Sequence, residues 1–467
     1  MSIRNIVLPT ESDPSRFPHA GNGRLINCYS EPTPNGKNGN LIVACDGLDN
    51  FTTLDGDGPV RALFAYSDSE MLAASGRLFC RMDVAGSSTV IGAIPTDGLV
   101  TMGRNRVGDV AIVSNGLYYK YQGGVFSKLE DPELPPPTSV AAGDGYFIFQ
   151  IADGRLFSSE LDDTNVLSTD FLAADTNPDP GVRVIRMSPY FISFGTKSYE
   201  VFRDVGGEAF PLDRQTSRNV GLIAAGAVTE LDLMIAWVAN DCTVRIMEGY
   251  DGKVISSDAV TRSIEDEPDK SSIVAYQYAS RGHRFLAISG TSFTWEFNVS
   301  KGRWHERQSY GLERHRVSSS CLFGNRWLFG DYETSKVYVG NPTSIGATSL
   351  TEQMAMVDFS DDGGLNFGVQ TFHSIGRIGG RNKRVRRYRL GVTESRVYRL
   401  TIDAVTDAGD HSIMTVQTAP VHTFPIRDKH RGIRWDVVPG YGPQANERGV
   451  VACALLHGDP ENGDERF

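Results

Sequence analysis

The chain has 467 residues, a formal net charge of −11, 49 glycines and 45 aromatic residues, made up of 23 Phe, 17 Tyr and 5 Trp. A chain of that length buries most of its unfolded surface and needs no covalent staples, and an acidic balance excludes a basic coat that binds DNA indiscriminately through its phosphates. The six cysteines (Cys28, Cys45, Cys80, Cys242, Cys321, Cys453) form no CxxC pair and read as free thiols of a reducing compartment, not as a disulfide or zinc framework.

In chain order, residues 1–40 are rich in Pro, Asn and Gly and read as an extended N-terminal arm. The opening MSIRNIVLPTESDPSRFP has no apolar leader, and no later run approaches the roughly 18 apolar residues of a membrane span. The expectation is a soluble, non-secreted chain with no membrane insertion.

Residues 41–345 repeat one unit: an apolar run, a tight turn, then an alternating aromatic strand. The units are MLAASGRLFCRM, VAIVSNGLYYKY, YFIFQIADGRLFSSEL, YFISFGTKSYEVF, MIAWVANDCTVRIM, FLAISGTSFTWEFNV and RWLFGDYETSKVYVG. Their turns fall at Ser75-Gly76, Asn115-Gly116, Asp153-Gly154, Gly195-Thr196, Asn240-Asp241, Gly290-Thr291 and Gly330 to Ser335, and the first six begin 38 to 50 residues apart. Several of these pairs suit the I′ and II′ turns of hairpins. In the sixth unit Phe293, Trp295, Phe297 and Val299 alternate with Thr294, Glu296 and Asn298, the period of a half-buried strand. A hairpin cannot bury its apolar face alone, so regular repetition predicts an all-β chain built as a β-propeller of six or seven blades. The uncertainty of one reflects a blade that the two ends of the repeat region would share. VGLIAAGAVTELDLMIAWV (220–238) could pass for a helix, but Gly221, Gly226 and its β-branched residues favour strand–turn–strand. DPELPPPTSV (131–140) is a stiff connector between blades.

From 346 to 467 the spacing breaks and a C-terminal β region with a polar tail is expected. It opens with SDDGGLNF (360–367), in which Ser360, Asp362, Gly364 and Phe367 fit, with Phe for the usual Trp, the Asp-box of sialidase-type propellers. The box is a turn device: Ser and Asp side chains bond nearby backbone N–H groups and the aromatic packs beneath. Next comes RIGGRNKRVRRYRL (377–390), with Arg377, Arg381, Lys383, Arg384, Arg386, Arg387 and Arg389 and no acid. It reads as a strand, with Val385, Arg387 and Arg389 on one face and Arg386, Tyr388 and Leu390 on the other. Its arginines suit either carboxylates of another blade or subunit, the favoured reading, or the DNA backbone.

An enzyme is not expected. The Asp-box occurs once, no spacing singles out a carboxylate pair or an arginine cluster for glycoside hydrolysis, and nucleophile-elbow, P-loop and dinucleotide motifs are absent from the sequence. His305-Glu306 and His315 lie near one another without a metal-ligand motif and read as surface histidines, so neither metal nor cofactor is assigned. The alternative is a sialidase-like glycan-binding protein or glycoside hydrolase.

Four landmarks in order, LINCYSEPTPNGKNGN (25–40), CDGLDNF with GPVRALFA (45–65), DGYFIFQIADGRLFSSELDDTNVLSTDF (144–171), and SDDGGLNFG with SIGRIGGRNKRVRRYRLG and RVYRLTI (360–402), resemble the packaged-DNA stabilisation proteins of short-tailed (podovirus) bacteriophages, their tail-hub or nozzle subunits. The resemblance implies a structural virion protein of the tail, assembled in the host cytoplasm. Six copies would form a homo-oligomeric ring that extends the channel of the portal and adaptor proteins. That ring would retain packaged DNA without sequence-specific contact, pass it at ejection, and hold the tail needle and the spikes or fibres. The family pattern ends near Ile402 and implies nothing for residues 403–467.

Overall fold

The computed structural model describes residues 9–14, 23–32, 40–173, 179–206, 210–309 and 312–341, and, as backbone strands alone, 2–6 and eight strands between 355 and 458. Seven four-stranded antiparallel sheets follow one another as blades 1 to 7 of a propeller. Blades 1 to 6 occupy 60–93, 100–129, 137–173, 181–218, 228–254 and 274–306, each in the order a–b–c–d from the innermost strand outward. Each expected turn joins strand b to strand c of one blade, so the seven units of the sequence are the seven blades. The 220–238 stretch is strand–turn–strand, Val228–Leu231 and Met234–Val238, and the Pro-rich connector links blades 2 and 3.

Blade 7 is shared between distant parts of the chain. Its strands a to c lie in 317–341, and its outer strand is Gly47–Thr53, paired antiparallel with Lys336–Asn341 from Asn341↔Gly47 to Lys336↔Thr53. This pairing fixes the count at seven and closes the ring, leaving no inner strand with an open side.

Neighbouring blades are tied at their innermost strands by short hydroxyl side chains. Val140 N–H donates to Thr101 Oγ1 (2.9 Å), Val184 N–H to Ser139 Oγ (2.8 Å), and Ser318 Oγ to Val60 O (2.9 Å). Backbones approach so closely here that a Cβ on Gly103 would meet Ala142 at 2.8 Å. A second device recurs on the outer loops, where a side chain of the loop entering a blade caps that blade's b–c turn. Asp57 accepts from Arg77 N–H (2.9 Å), Asp179 from the N–H groups of Lys197 (2.6 Å) and Ser198 (2.8 Å), and Glu267 from Thr291 N–H (2.8 Å). Carboxylates thus satisfy turn donors that the sheet leaves unpaired.

Two features depart from the sequence reading. An α-helix, Asp258–Glu265, sits in the loop between blades 5 and 6. It is capped by Ser257, whose side chain accepts from Val260 N–H, and it buries Ala259, Val260 and Ile264. The N-terminal arm is more than an extension: Arg24–Ile26 adds a parallel strand outside Arg303–Glu306 of blade 6, pinned by Arg24 Nε to Glu306 Oε1 at 3.0 Å. That sheet continues outward through Ala355–Phe359, which pairs with Arg24–Ile26.

Candidate functional site at the closing blades

Strand order gives the propeller two unlike faces. The a–b and c–d turns lie on one, called face I here, and the b–c turns and blade-to-blade loops on the other, face II. Blade 7 places both Gly47, where the chain enters the propeller, and Asn341, where it leaves, on face I. Nine large hydrophobic side chains are exposed among the described residues. Seven of them, Val84, Val107, Val125, Leu161, Val205, Leu233 and Leu322, sit at turns or strand ends of face I, Leu233 with 81% of its surface in water. Val254 is at the face II end of its strand and Val90 within an outer strand. The exposed apolar side chains thus fall mostly on face I, while face II carries the carboxylate-capped turns.

Between blades 6 and 7 a cleft of about 260 Å³ opens on face I. Ser280 and Arg281 from the a–b turn of blade 6, Asn325 and Arg326 from that of blade 7, and Asp46 to Leu48 form its rim. Its depth is lined by Arg307 and His315, which are 2% and 1% exposed. Arg307 Nη2 donates to Asp46 O (3.0 Å) and to His315 Nε2 (3.1 Å). A guanidinium only donates, so Nε2 is the acceptor nitrogen of His315, and Nδ1 faces Tyr276 OH at 2.9 Å.

Behind the cleft, blade 6 encloses a charged network. Glu296 is 0% and His305 1% exposed, and His305 Nε2 meets Glu296 Oε2 at 2.8 Å. Tyr278 OH donates to both carboxylate oxygens (3.0 and 3.1 Å), and Arg307 Nη1 lies 3.9 Å from Oε2. Burial would raise the Glu296 carboxyl, but Arg307 and the hydrogen bond from His305 overcome it and hold the group at about 2. Burial likewise opposes a charge on His305, yet Cys45 and Glu296 raise it to about 9.

The sequence expectation of surface histidines therefore fails: His305 and His315 are interior. The half-buried reading of the sixth unit fails with it, because Thr294–Asn298 is buried at every position. A blade is packed on both faces by its neighbours, so its polar alternate positions are interior too. Ligand atoms of Cys45, Glu296 and His305 lie within 4.8 Å of one another, a donor set that could hold a metal ion. The carboxylate is already bonded by Tyr278 and His305 with the Arg307 cation beside it, so the trio serves here as a charge network.

Ser360, Asp362, Gly364 and Phe367 lie outside the described residues. The segment 377–390, read from the sequence as one strand, is divided: Arg377 falls in the strand Ser374–Ile378, and Arg381, Lys383, Arg384, Arg386, Arg387 and Arg389 in the 13-residue strand Arg381–Thr393, which pairs with it antiparallel. That strand pairs with Val397–Thr406 with a register shift between Val385 and Arg387; its side chains lie outside the described residues. The five described cysteines are free thiols, and no helix among the described residues is long and apolar enough to cross a membrane.

Comparison with solved structures returns propellers at low identity and low TM-score. The WD40 β-propeller domain of Doa1 matches with 13% identity and a TM-score of 0.44, over 63% of this chain and 96% of that one. YCF48 bound to D1 peptide matches with 10% identity and a TM-score of 0.42, over 66% and 97%. A search of curated protein sequences returns no match. The profile of the family described as "Bacteriophage P22 Gp10, beta-propeller" matches residues 23–344, which takes in all seven blades. The chain belongs to this family of phage structural proteins.

Proposed function

We propose that the protein is a non-enzymatic subunit of the tail hub, or nozzle, of a short-tailed phage. Copies of it, six by the resemblance read in the sequence, join in a ring below the portal and adaptor proteins. The ring prolongs the DNA channel, helps to retain the packaged genome, and offers attachment to the tail needle and to spikes or fibres. The observation that carries this reading is the asymmetry of the two faces. A cyclic ring needs two unlike complementary surfaces on each subunit. We take face I, with exposed Leu233, Val125 and Val107, as one contact surface, and the arginines of 377–390 against the chain's excess of carboxylates as the complementary charge pairing between copies. The net charge of −11 keeps DNA from adhering to the wall as it leaves, because phosphate binding requires a basic surface.

Gold-labelled antibody against the chain should mark the tail vertex of intact virions in electron micrographs. Labelling spread over the capsid, or none, would overturn the placement. Turnover of a fluorogenic sialoside, lost on changing a single carboxylate, would restore the glycan-hydrolase reading. Arg384→Glu combined with Arg387→Glu should impair tail assembly; intact tails that only lose salt-sensitive DNA binding would assign the basic strand to DNA instead.

A further inference from the structure

Residues 9–14, PTESDP, lie where the outer strand of blade 6 meets the helix Asp258–Glu265. Ser12, 1% exposed, is the fastening. Its N–H donates to Trp304 O of blade 6 (2.8 Å), and its hydroxyl donates to Leu25 O (3.0 Å) and accepts from Leu25 N–H (2.6 Å). One residue on, Asp13 N–H donates to Gly23 O (2.9 Å), and Arg262 of the helix donates to Pro14 O. The segment therefore ties the strand Arg24–Ile26 to the blade it extends. That strand holds to blade 6 through the pair Ile26↔Glu306, Asn27 N–H to Glu306 O (2.8 Å) and the Arg24–Glu306 ion pair. It is a short contact for a strand that carries Ala355–Phe359 on its other side.

Glu11 and Asp13 flank the fastening, half-buried, and each faces another acid. Asp258 and Arg262 stand one helical turn apart on the face that meets the arm, so Asp13 faces a carboxylate as well as a guanidinium already shared with Pro14 O. Glu11 faces Asp13 and Arg303, and Arg303 is shared with Ser30 Oγ (3.1 Å). The remaining charges at the joint, Arg24 and Glu306, offset one another. Burial first, then the neighbouring acid, pushes the Glu11 and Asp13 carboxyls above their ordinary 4.5 and 3.8, against the pull of the two arginines. The docked segment thus binds protons more tightly than a detached one. Its hold is strongest with both carboxyls protonated, declines as pH rises above about 4, and is weakest at neutral pH.

We infer that residues 9–14 are a pH-sensitive strap: they fasten Arg24–Ile26, and through it Ala355–Phe359, to blade 6, closing firmly in acid and loosening toward neutral pH. The strap acts within one chain and does not depend on a ring.

Hydrogen exchange of the full-length chain at pH 4.5 and 7.5, expressed as protection relative to the intrinsic rate at each pH, tests this. The amides of Ser12, Asp13 and Asn27 should be at least about threefold better protected at pH 4.5 than at pH 7.5. Glu11→Gln combined with Asp13→Asn should abolish that response and, at pH 7.5, protect the three amides at least as well as wild type is protected at pH 4.5. The amides of Val140 and Val184, bonded to hydroxyls between other blades, serve as internal references and should not share the response. Equal protection at the two pH values in wild type would overturn the strap. So would a double variant that keeps the response or exposes the three amides at pH 7.5, or a response of the same size at Val140 and Val184.

Discussion

Replacing Glu296 by Gln removes the charge on which the interior of blade 6 is organised. The carboxyl is held at about 2 against an ordinary 4.5, which corresponds to roughly 3 kcal/mol of native-state stabilisation. The variant also leaves Arg307 and His305 buried beside a neutral amide, and breaking a buried pair by removing one partner costs about 3–5 kcal/mol. These are two views of the same interaction and are not summed, so the expected loss is about 3–4 kcal/mol. At roughly 2–4 °C per kcal/mol for a domain of this order of size, Tm should fall by about 6–16 °C at pH 6. The pH profile carries a second signature. His305 titrates at about 9 in the folded chain and 6.5 ordinarily, so its contribution is complete below pH 6.5 and is lost as pH rises toward 9. The Glu296 contribution is complete above pH 4.5 and is lost as pH falls toward 2. Wild type should therefore be most stable between about pH 4.5 and 6.5 as far as this pair is concerned. In the Gln variant the decline above pH 6.5 should shrink, since His305 keeps Cys45 but loses the carboxylate. Scanning calorimetry from pH 3 to 9 measures both effects. A Tm within about 2 °C of wild type at pH 6, with an unchanged pH profile, would refute the assignment of a charged network.

Three further outcomes follow from the packing. Asp179→Ala removes the acceptor for Lys197 N–H, Ser198 N–H and Ser198 Oγ and should cost about 1–3 kcal/mol in urea titrations; no change would show that water replaces the cap. Gly221→Ala would place a Cβ 2.2 Å from the backbone carbon of Thr196, and backbone cannot yield cheaply, so about 3 kcal/mol should be lost in the same titrations. Leu48→Ala, in the strand that closes blade 7 and 3% exposed, should cost about 2–5 kcal/mol and speed limited proteolysis within 47–53; wild-type proteolysis kinetics would show that closure does not depend on that strand's packing.

Much of this architecture was legible because it is local. Ser75-Gly76 and Asn115-Gly116 sit between apolar runs, and a hairpin turn with its flanking alternation lies within a dozen residues. The closing strand was not legible in the same way. GLDNFTT pairs with residues almost 290 positions away, and nothing in its own alternation says which edge it completes, so the sequence left the count at six or seven. The helix at 258–265 was missed although Ser257 before Asp258 is a capping signal and Ala259, Val260 and Ile264 have helical spacing; Val260, Thr261 and Ile264 are β-branched and the segment is only two turns long. The buried network was misread for a different reason. Glu296 and His305 alternate with aromatics as solvent-facing residues of a two-layer sheet would, and only a propeller, which packs both faces of a blade, makes those positions interior. Arg307 and His315 lie in a loop and become partners only when blades 6 and 7 meet.

The central claim, a ring subunit built through face I, is tested most directly by mass photometry of the purified full-length chain, alone and with its adaptor protein. The account predicts a discrete closed oligomer, near six copies, that falls to monomers when Leu233 and Val205 are both changed to Lys while the thermal melt of the propeller stays within about 2 °C of wild type. A chain that stays monomeric with the adaptor present, or a ring that the two lysines leave intact, would contradict it.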